Sequence, residues 1–249
     1  MGAINFKKLP KFFLILIFLF VSNIASAASK NPSLTLAMGD ENQMAAAMKI
    51  FLFLTLISLG PAMILTMSSF TRIIIVLSFL RQAMGVPQSP PNQVLAGLAF
   101  FLTIFLMSPV IKDIHTNAIT PFLEEKISQE VAIEKASMPL KAFMFKQTRK
   151  PDLELMLKIA NEKPINVESL SLFTIVPAFI LSELKTAFEI GFLIYLPFVL
   201  IDMVVSMILL TMGMMVLPPV VISLPFKLML FVLIDGWNLV VSSLIRSFQ

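Results

Sequence analysis

The sequence contains no cysteine, so it offers no disulfide, no thiolate metal ligand and no cysteine nucleophile. Histidine occurs once, as His115, and the eight glycines are scattered and form no phosphate-binding loop. No zinc-protease or serine-hydrolase motif is present. Charged residues make up only 14% of the chain. These absences predict a protein that is not an enzyme and that holds no cofactor and no metal ion.

Hydrophobic residues, by contrast, make up 57% of the 249 residues, far above the proportion in soluble domains. Residues 50–71 carry no charge over a length sufficient to cross about 30 Å of hydrocarbon. Further apolar stretches cover residues 93–111 and 170–248. The pattern predicts an all-α membrane protein with about four long hydrophobic helices arranged in hairpins.

The N-terminus has the pattern of a cleavable signal peptide. Lys7, Lys8 and Lys11 precede an apolar run at residues 12–21, which is shorter than the roughly 20 residues of a membrane span. An Ala-Ser-Ala site follows and predicts cleavage between Ala27 and Ala28; an uncleaved anchor is the alternative. Without the three lysines the charges nearly balance, so no basic surface for nucleic acid is expected.

The remaining chain divides into four segments. Residues 28–43 are polar and predict a flexible periplasmic N-terminus. Residues 44–111 predict a first membrane hairpin, with a span ending near residue 71, an arginine-bracketed helix over 71–82 and a second span over 93–111. Residues 112–169 carry equal numbers of basic and acidic side chains and predict a helical insert, with helices over 114–130 and 152–160. Residues 170–249 predict a second hairpin, with helices over 170–189, 190–217 and 220–246.

The signal peptide sets the predicted orientation. The mature N-terminus would lie in the periplasm, and the loop that holds Arg72 and Arg81 would lie in the cytoplasm, in agreement with the positive-inside rule. The charged insert and the C-terminus would then both face the periplasm.

Ionisable residues in apolar surroundings are the candidate site residues, because each is costly in hydrocarbon unless it is paired or hydrated. Lys185 and Glu189 are four residues apart and can pair on one helix face. Glu183 and Lys227 have no local counter-charge, which predicts that they pair with each other, within one subunit or between two. The other isolated charges are Arg72, Arg81, Asp202 and Asp235. The alternative is that all these groups face one aqueous cavity.

A cluster of methionines precedes a Pro-Pro break. Met212, Met214 and Met215, with Val216 beside them, lie next to Gly213 and the Pro218-Pro219 break, where the backbone must leave the helix. Methionine side chains are flexible and polarizable, and non-helical backbone at membrane depth is tolerated where it lines a cavity. The cluster predicts a pore loop; ordinary core packing is the alternative.

Two long stretches of sequence have the character of family signatures. The first is residues 69–81, followed by Pro90-Pro91-Asn92-Gln93. The second consists of residues 177–179, 182–188, 212–215, 218–219, 224–227 and 235–237. Together they resemble the FliP/SctR family of type III secretion export-gate subunits, and the signal peptide and charged insert resemble its flagellar branch.

The resemblance implies a core subunit of the flagellar protein-export gate in the basal body of the bacterial inner membrane. It implies a homopentameric, helically wound ring, partly above the membrane plane, that assembles with FliQ, FliR, FlhB and FlhA and passes unfolded flagellar proteins. The methionine loop would be the gasket of the pore, although Val216 stands where relatives often carry a further methionine. The competing hypothesis is a proton-coupled small-molecule transporter that uses Asp202 or Asp235.

Overall fold

The computed structural model describes residues 41–162, 169–214 and 217–248. Within these ranges every regular element is a helix and no strand occurs. The chain divides into two compact units, Met1–Ile57 and Ser58–Gln249. Helix α1 (Glu41–Thr66) begins in the first unit, where Phe51 and Leu52 are exposed apolar side chains. The predicted signal peptide and its cleavage site at Ala27 and Ala28 lie outside the described residues.

The larger unit contains nine further α-helices and one π-helical segment within the described ranges. They are α2 (Phe70–Ala83), α3 (Asn92–Leu106), α4 (Ser108–Ile114), π1 (His115–Ile119), α5 (Thr120–Leu123), α6 (Gln129–Gln147), α7 (Lys150–Ala160), α8 (Leu172–Thr211), α9 (Pro219–Leu233) and α10 (Gly236–Arg246).

Helices α2 and α8 form the centre of this unit. One face of α2 is fully buried and carries Ile73, Val76, Leu77 and Leu80 at helical spacing. Residues of α3, α8, α9 and α10 belong to the same hydrophobic core. Helix α8 comes close to α2 at Gly191, where an added Cβ would lie 2.6 Å from the ring of Phe79. The close contact of these two helices therefore requires glycine at position 191, because a residue with a Cβ would clash with Phe79.

Helix α8 is continuous over 40 residues and is about 60 Å long at 1.5 Å per residue, twice the thickness of the hydrocarbon core. The predicted division into helices over 170–189 and 190–217 is therefore wrong. The charges at residues 183–189 do not interrupt the backbone, since they project from the helix without removing any of its hydrogen bonds. Pro177 and Pro197 also lie inside the helix, as prolines can in membrane helices.

The prediction of one continuous helix over 220–246 is also wrong, because two helices occur there. They are α9 and α10, which meet at an angle of 65°. Asp235 adopts a left-handed conformation at the break, with φ of 51°, and Gly236 packs against the ring of Phe231. A second break, of 57°, separates α3 from the helices after Met107, so the predicted span over 93–111 also stops early.

By length and composition, α8 is the one described helix that could cross a membrane unbroken. The two bent pairs raise the number to three if each pair counts as one span. A shorter apolar stretch, Met48–Gly60, lies in α1, and the predicted number of four long hydrophobic helices stays a prediction.

The charged segment is helical, as predicted, but its helices have different bounds. Residues 124–128 are not helical, so the predicted helix over 114–130 is interrupted. Ser128 caps α6 by accepting a hydrogen bond from the backbone N–H of Val131, and α6 continues through Pro139. Helix α7 ends at Ala160 and is followed by Asn161, which has the left-handed conformation that commonly terminates helices.

Candidate functional site

A buried ion pair joins the start of α2 to α8. The guanidinium of Arg72 binds both carboxylate oxygens of Glu183, with Nε–Oε2 and Nη2–Oε1 distances of 2.8 and 2.5 Å. The two side chains are 2% and 0% exposed. Two parallel charge-assisted bonds fix both the distance and the orientation of the partners. Removing either group would leave the other as an uncompensated buried charge.

The same guanidinium also fixes the C-terminal segment. Its Nη1 donates to the carbonyl and hydroxyl oxygens of Ser247 at 2.7 and 3.0 Å, and the ring of Phe248 lies 3.8 Å from the guanidinium carbon. The side chain of Gln147, at the end of α6, accepts a bond from Arg72 and donates one to the carbonyl of Phe248. Arg72 therefore connects α2, α6, α8 and the segment after α10.

The side chain of Ser182, beside this cluster, attaches the insert to α8. The hydroxyl of Ser182 accepts a bond from the backbone N–H of Arg149 and donates one to the carboxylate of Asp152, at 3.0 and 2.8 Å. The corner between α6 and α7 is therefore bonded to the same part of α8 that holds Glu183.

A second ion pair joins the C-terminal part of α8 to the middle of α9. The ammonium of Lys227 lies 2.6 Å from Asp202 Oδ2, and the hydroxyl of Ser223 donates to Oδ1 at 2.5 Å. Lys227 also donates to the carbonyl of Ala83, in the last turn of α2, at 3.2 Å. Lys227 is 3% exposed, whereas the Asp202 side chain is 28% exposed. We call Asp202, Ser223 and Lys227, with the Ala83 carbonyl, the clasp.

These contacts correct the predicted pairing of Glu183 with Lys227. Within the chain that pairing is wrong, because Glu183 binds Arg72 and Lys227 binds Asp202. The prediction overlooked that α2 passes between the two sites, with Arg72 near one end and the Ala83 carbonyl at the other. A contact of the same two groups between subunits stays a prediction.

The other predicted charged residues are not part of these clusters. Arg81 donates to the carbonyl of Pro90 and to the side chain of Asn92, and so supports the turn between α2 and α3. Lys185 and Glu189 are both exposed, and no ion pair between them is present in the described structure. Asp235 is exposed at the break between α9 and α10 and makes no capping bond with its side chain.

The methionine segment begins at a well-defined helix end. The N–H of Met214 bonds to the carbonyl of Leu209 and that of Gly213 to Leu210, which together form a Schellman motif. Gly213 has φ of 74°, and a Cβ added there would meet nothing within 4 Å, so the glycine is required by the backbone and not by packing. Met212 and Met214 are 67% and 41% exposed. Met215 and Val216 lie outside the described residues.

Sequence reasoning missed the polar partners of both ion pairs. Ser223 lies four residues before Lys227, so a search for hydroxyls at helical spacing from the buried charges could have found it. Gln147 and Ser247 are distant from Arg72 in sequence, and nothing local indicated their contact. Within the described ranges no group of three or more His, Asp or Glu side chains could hold a metal ion.

Comparison with known proteins places this architecture in a family. The family model "FliP family" matches residues 53–244. The flagellar biosynthetic protein FliP of Bacillus subtilis is 51% identical over 210 residues, which cover 84% of this chain and 95% of the relative. FliP of Aquifex aeolicus is 47% identical over 89% of this chain and 93% of its own length, and FliP of Borreliella burgdorferi is 45% identical over 84% of each. The resemblance that the sequence suggested is thereby confirmed, and the chain belongs to the FliP family.

Proposed function

We propose that this chain is a core subunit of the flagellar type III protein-export gate and that copies of it form the pore through which unfolded flagellar proteins cross the bacterial inner membrane. Membership of the FliP family supports the flagellar assignment. The finer statements, which are the pore, its pentameric ring and its partners FliQ, FliR, FlhB and FlhA, are the proposal.

The observation that carries the proposal is the exposed methionine turn at the end of α8. The most apolar long helix stops at a Schellman motif, and the chain then presents Met212 and Met214 outward before Pro218 and Pro219 start α9. Met212 is two-thirds exposed and packs against little of the described chain, so an isolated subunit gains little from its position. In a symmetric ring the same turn from each copy would meet at one constriction.

The physical requirement of the gate favours methionine at this place. A pore that passes many unfolded sequences cannot be shaped to any one of them, yet it must hold back ions when it is empty. Apolar linings resist wetting, and methionine side chains change rotamer easily. A ring of methionines therefore seals without being specific for the cargo.

The exposed apolar surface of α8 supports assembly into a ring. Phe192, Leu196, Leu200 and Met203 recur at helical spacing and are exposed along its outer face. A helix of about 60 Å exceeds one bilayer thickness, so part of this face would leave the lipid unless other subunits cover it. Neighbouring copies and partner subunits would bury that part.

The proposal is tested by the ion conductance of the purified complex. The full chain is co-expressed with its partner subunits, and wild type is compared with the double variant Met212→Gly, Met214→Gly after reconstitution into planar bilayers. We expect the variant to assemble and to conduct ions in the closed state severalfold more than wild type. The matched control is Met138→Gly on α6, another exposed methionine, which should conduct as wild type does. An assembled double variant that conducts no more than wild type would refute the sealing role.

The alternative of a proton-coupled transporter gains no support from the family match. Asp202, one of its two proposed proton sites, has both carboxylate oxygens bonded to Lys227 and Ser223. Purification distinguishes the two hypotheses, because a gate subunit should be isolated as a multi-chain ring and a transporter as a monomer or dimer.

A further inference from the structure

The clasp lies close to the methionine turn on both of its flanking helices. Asp202 is about 14 Å of helix before the end of α8, and Lys227 is about 12 Å after the start of α9, at 1.5 Å per residue. Ser223 lies between Lys227 and the turn. Helices α8 and α9, which flank the turn, are therefore bonded to each other at nearly equal distances from it.

The geometry of the clasp restricts how α8 and α9 can move relative to each other. Both donors to Asp202 lie on α9, four residues apart, and they occupy the two oxygens of one carboxylate. Two bonds from one helix face to one carboxylate fix the rotation of α9 as well as its distance from α8. Apolar contacts alone, such as the tilted rings of Phe198 and Phe231 with centroids 6.5 Å apart, allow sliding at small cost.

The bond from Lys227 to the Ala83 carbonyl adds a third helix. The carbonyls at the C-terminal end of α2 carry partial negative charge, which favours an ammonium there. The start of α2 is fixed to α8 by Arg72. The clasp therefore fixes the positions of α8 and α9 near the turn relative to α2, in the core of the subunit. Gly85, in the turn after α2, lies close to the same ammonium, at 4.0 Å from the position of an added Cβ.

We propose that Asp202, Ser223 and Lys227 are positioning residues that hold the methionine turn in its sealed arrangement. They act through the separation and rotation of α8 and α9 and do not touch the cargo. The inference rests on the proposed function, because it assumes that the turn is the seal. A carboxylate between two donors specifies one rotation of the hairpin, whereas an apolar seam of equal stability would permit several.

The test measures closed-state conductance per assembled complex for variants of the clasp. Asp202→Asn and Lys227→Met each remove one charge, and we expect severalfold higher conductance than wild type in complexes that assemble. Lys227→Arg keeps the charge and should recover most of the seal. The matched comparison is Glu189→Gln, which removes an exposed carboxylate charge from the same helix about 33 Å from its end. It should assemble as wild type does and leave the conductance of each complex unchanged.

The outcomes separate this inference from the proposed function. If the glycine variants of Met212 and Met214 leak and the assembled clasp variants do not, the positioning role is wrong and the seal stands. If neither set leaks, the proposed seal itself fails and the inference fails with it. If Asp202→Asn and Lys227→Met do not assemble, Ser223→Ala decides, because it removes one bond and keeps the ion pair. Leakage above wild type in that variant supports the positioning role, and wild-type conductance overturns it.

Discussion

Two ion pairs hold α8 to its neighbouring helices in different ways. The pair of Arg72 and Glu183 is fully buried and bidentate, and it gathers the insert and the C-terminal segment around α8. In the pair of Asp202 and Lys227 the aspartate is partly exposed. This pair lies about 12 to 14 Å of helix from the ends of α8 and α9 that flank the methionine turn. Burial and position therefore point to separate tasks: the first pair joins helices inside the chain, and the second has, in our proposal, the task of orienting the methionine turn.

The largest effect should follow from breaking the first pair. Arg72→Ala leaves Glu183 buried without a counter-charge and removes the contacts to Ser247 and Gln147. The loss of a single partner typically costs about 3 to 5 kcal/mol, so we expect little protein in the membrane and no motility. Quantitative immunoblotting and swimming assays measure both. Arg72→Lys keeps the charge without the bidentate geometry and should be intermediate; equal damage from both variants would contradict this account.

Exchanging charges sharpens the comparison, because it tests whether the two pairs are independent. The exchange Arg72→Glu with Glu183→Arg should recover part of the motility that either single change removes. The exchange Glu183→Lys with Lys227→Glu should recover none, because these groups belong to different pairs within the chain. Recovery by the second exchange would instead show that the two residues meet between neighbouring subunits.

The contact between α2 and α8 at Gly191 should have the next largest effect. A methyl group there would overlap the ring of Phe79, and forced overpacking costs about 1 to 3 kcal/mol. We expect Gly191→Ala to lower the thermal stability of the detergent-purified complex and Phe79→Leu to restore part of it. Gly97→Ala in α3 is the matched control, since an added Cβ meets nothing within 4 Å there. Similar losses from both alanines would rule out a specific role for the close contact.

Much of this fold could be predicted from the sequence where a local signal existed. The helical charged insert and the helix bracketed by Arg72 and Arg81 follow from charge and hydrophobic runs, whereas the helix predicted to reach residue 217 ends at Thr211, before the turn at Gly213. The continuity of α8 could not be predicted from its charges, because Glu183 is compensated by Arg72, which is remote in sequence. The break at Asp235 was missed because an aspartate in a left-handed conformation has no hydrophobic signature, and its support comes from the packing of Gly236 on Phe231.

The same reasoning explains the partial success at the candidate site. The sequence identified every charge of the two ion pairs, since ionisable residues in apolar runs are conspicuous. It chose the wrong partners within the chain, because four charges in apolar segments of three helices allow more than one pairing. The topology decides between them by placing α2 along α8.

The smallest effect is expected at the contact that attaches the insert beside the first pair. Ser182→Ala removes neutral and charge-assisted hydrogen bonds to Arg149 and Asp152, a loss of about 1 to 3 kcal/mol that leaves both ion pairs intact. We expect motility to persist and the insert to become more sensitive to limited proteolysis. Ser242→Ala on α10, whose hydroxyl bonds only within its own helix, is the control. Unchanged proteolysis of Ser182→Ala would show that this contact does not hold the insert.

The central claim is that the methionine turn lines the export path. The most direct measurement places a photo-crosslinking amino acid at position 214 in cells that carry an export substrate stalled in the gate by a folded C-terminal domain. The account predicts a crosslink between position 214 and the stalled chain, and none from the same probe at the exposed Ile159 on α7. Absence of the crosslink at 214, with the complex assembled and the substrate stalled, would contradict it.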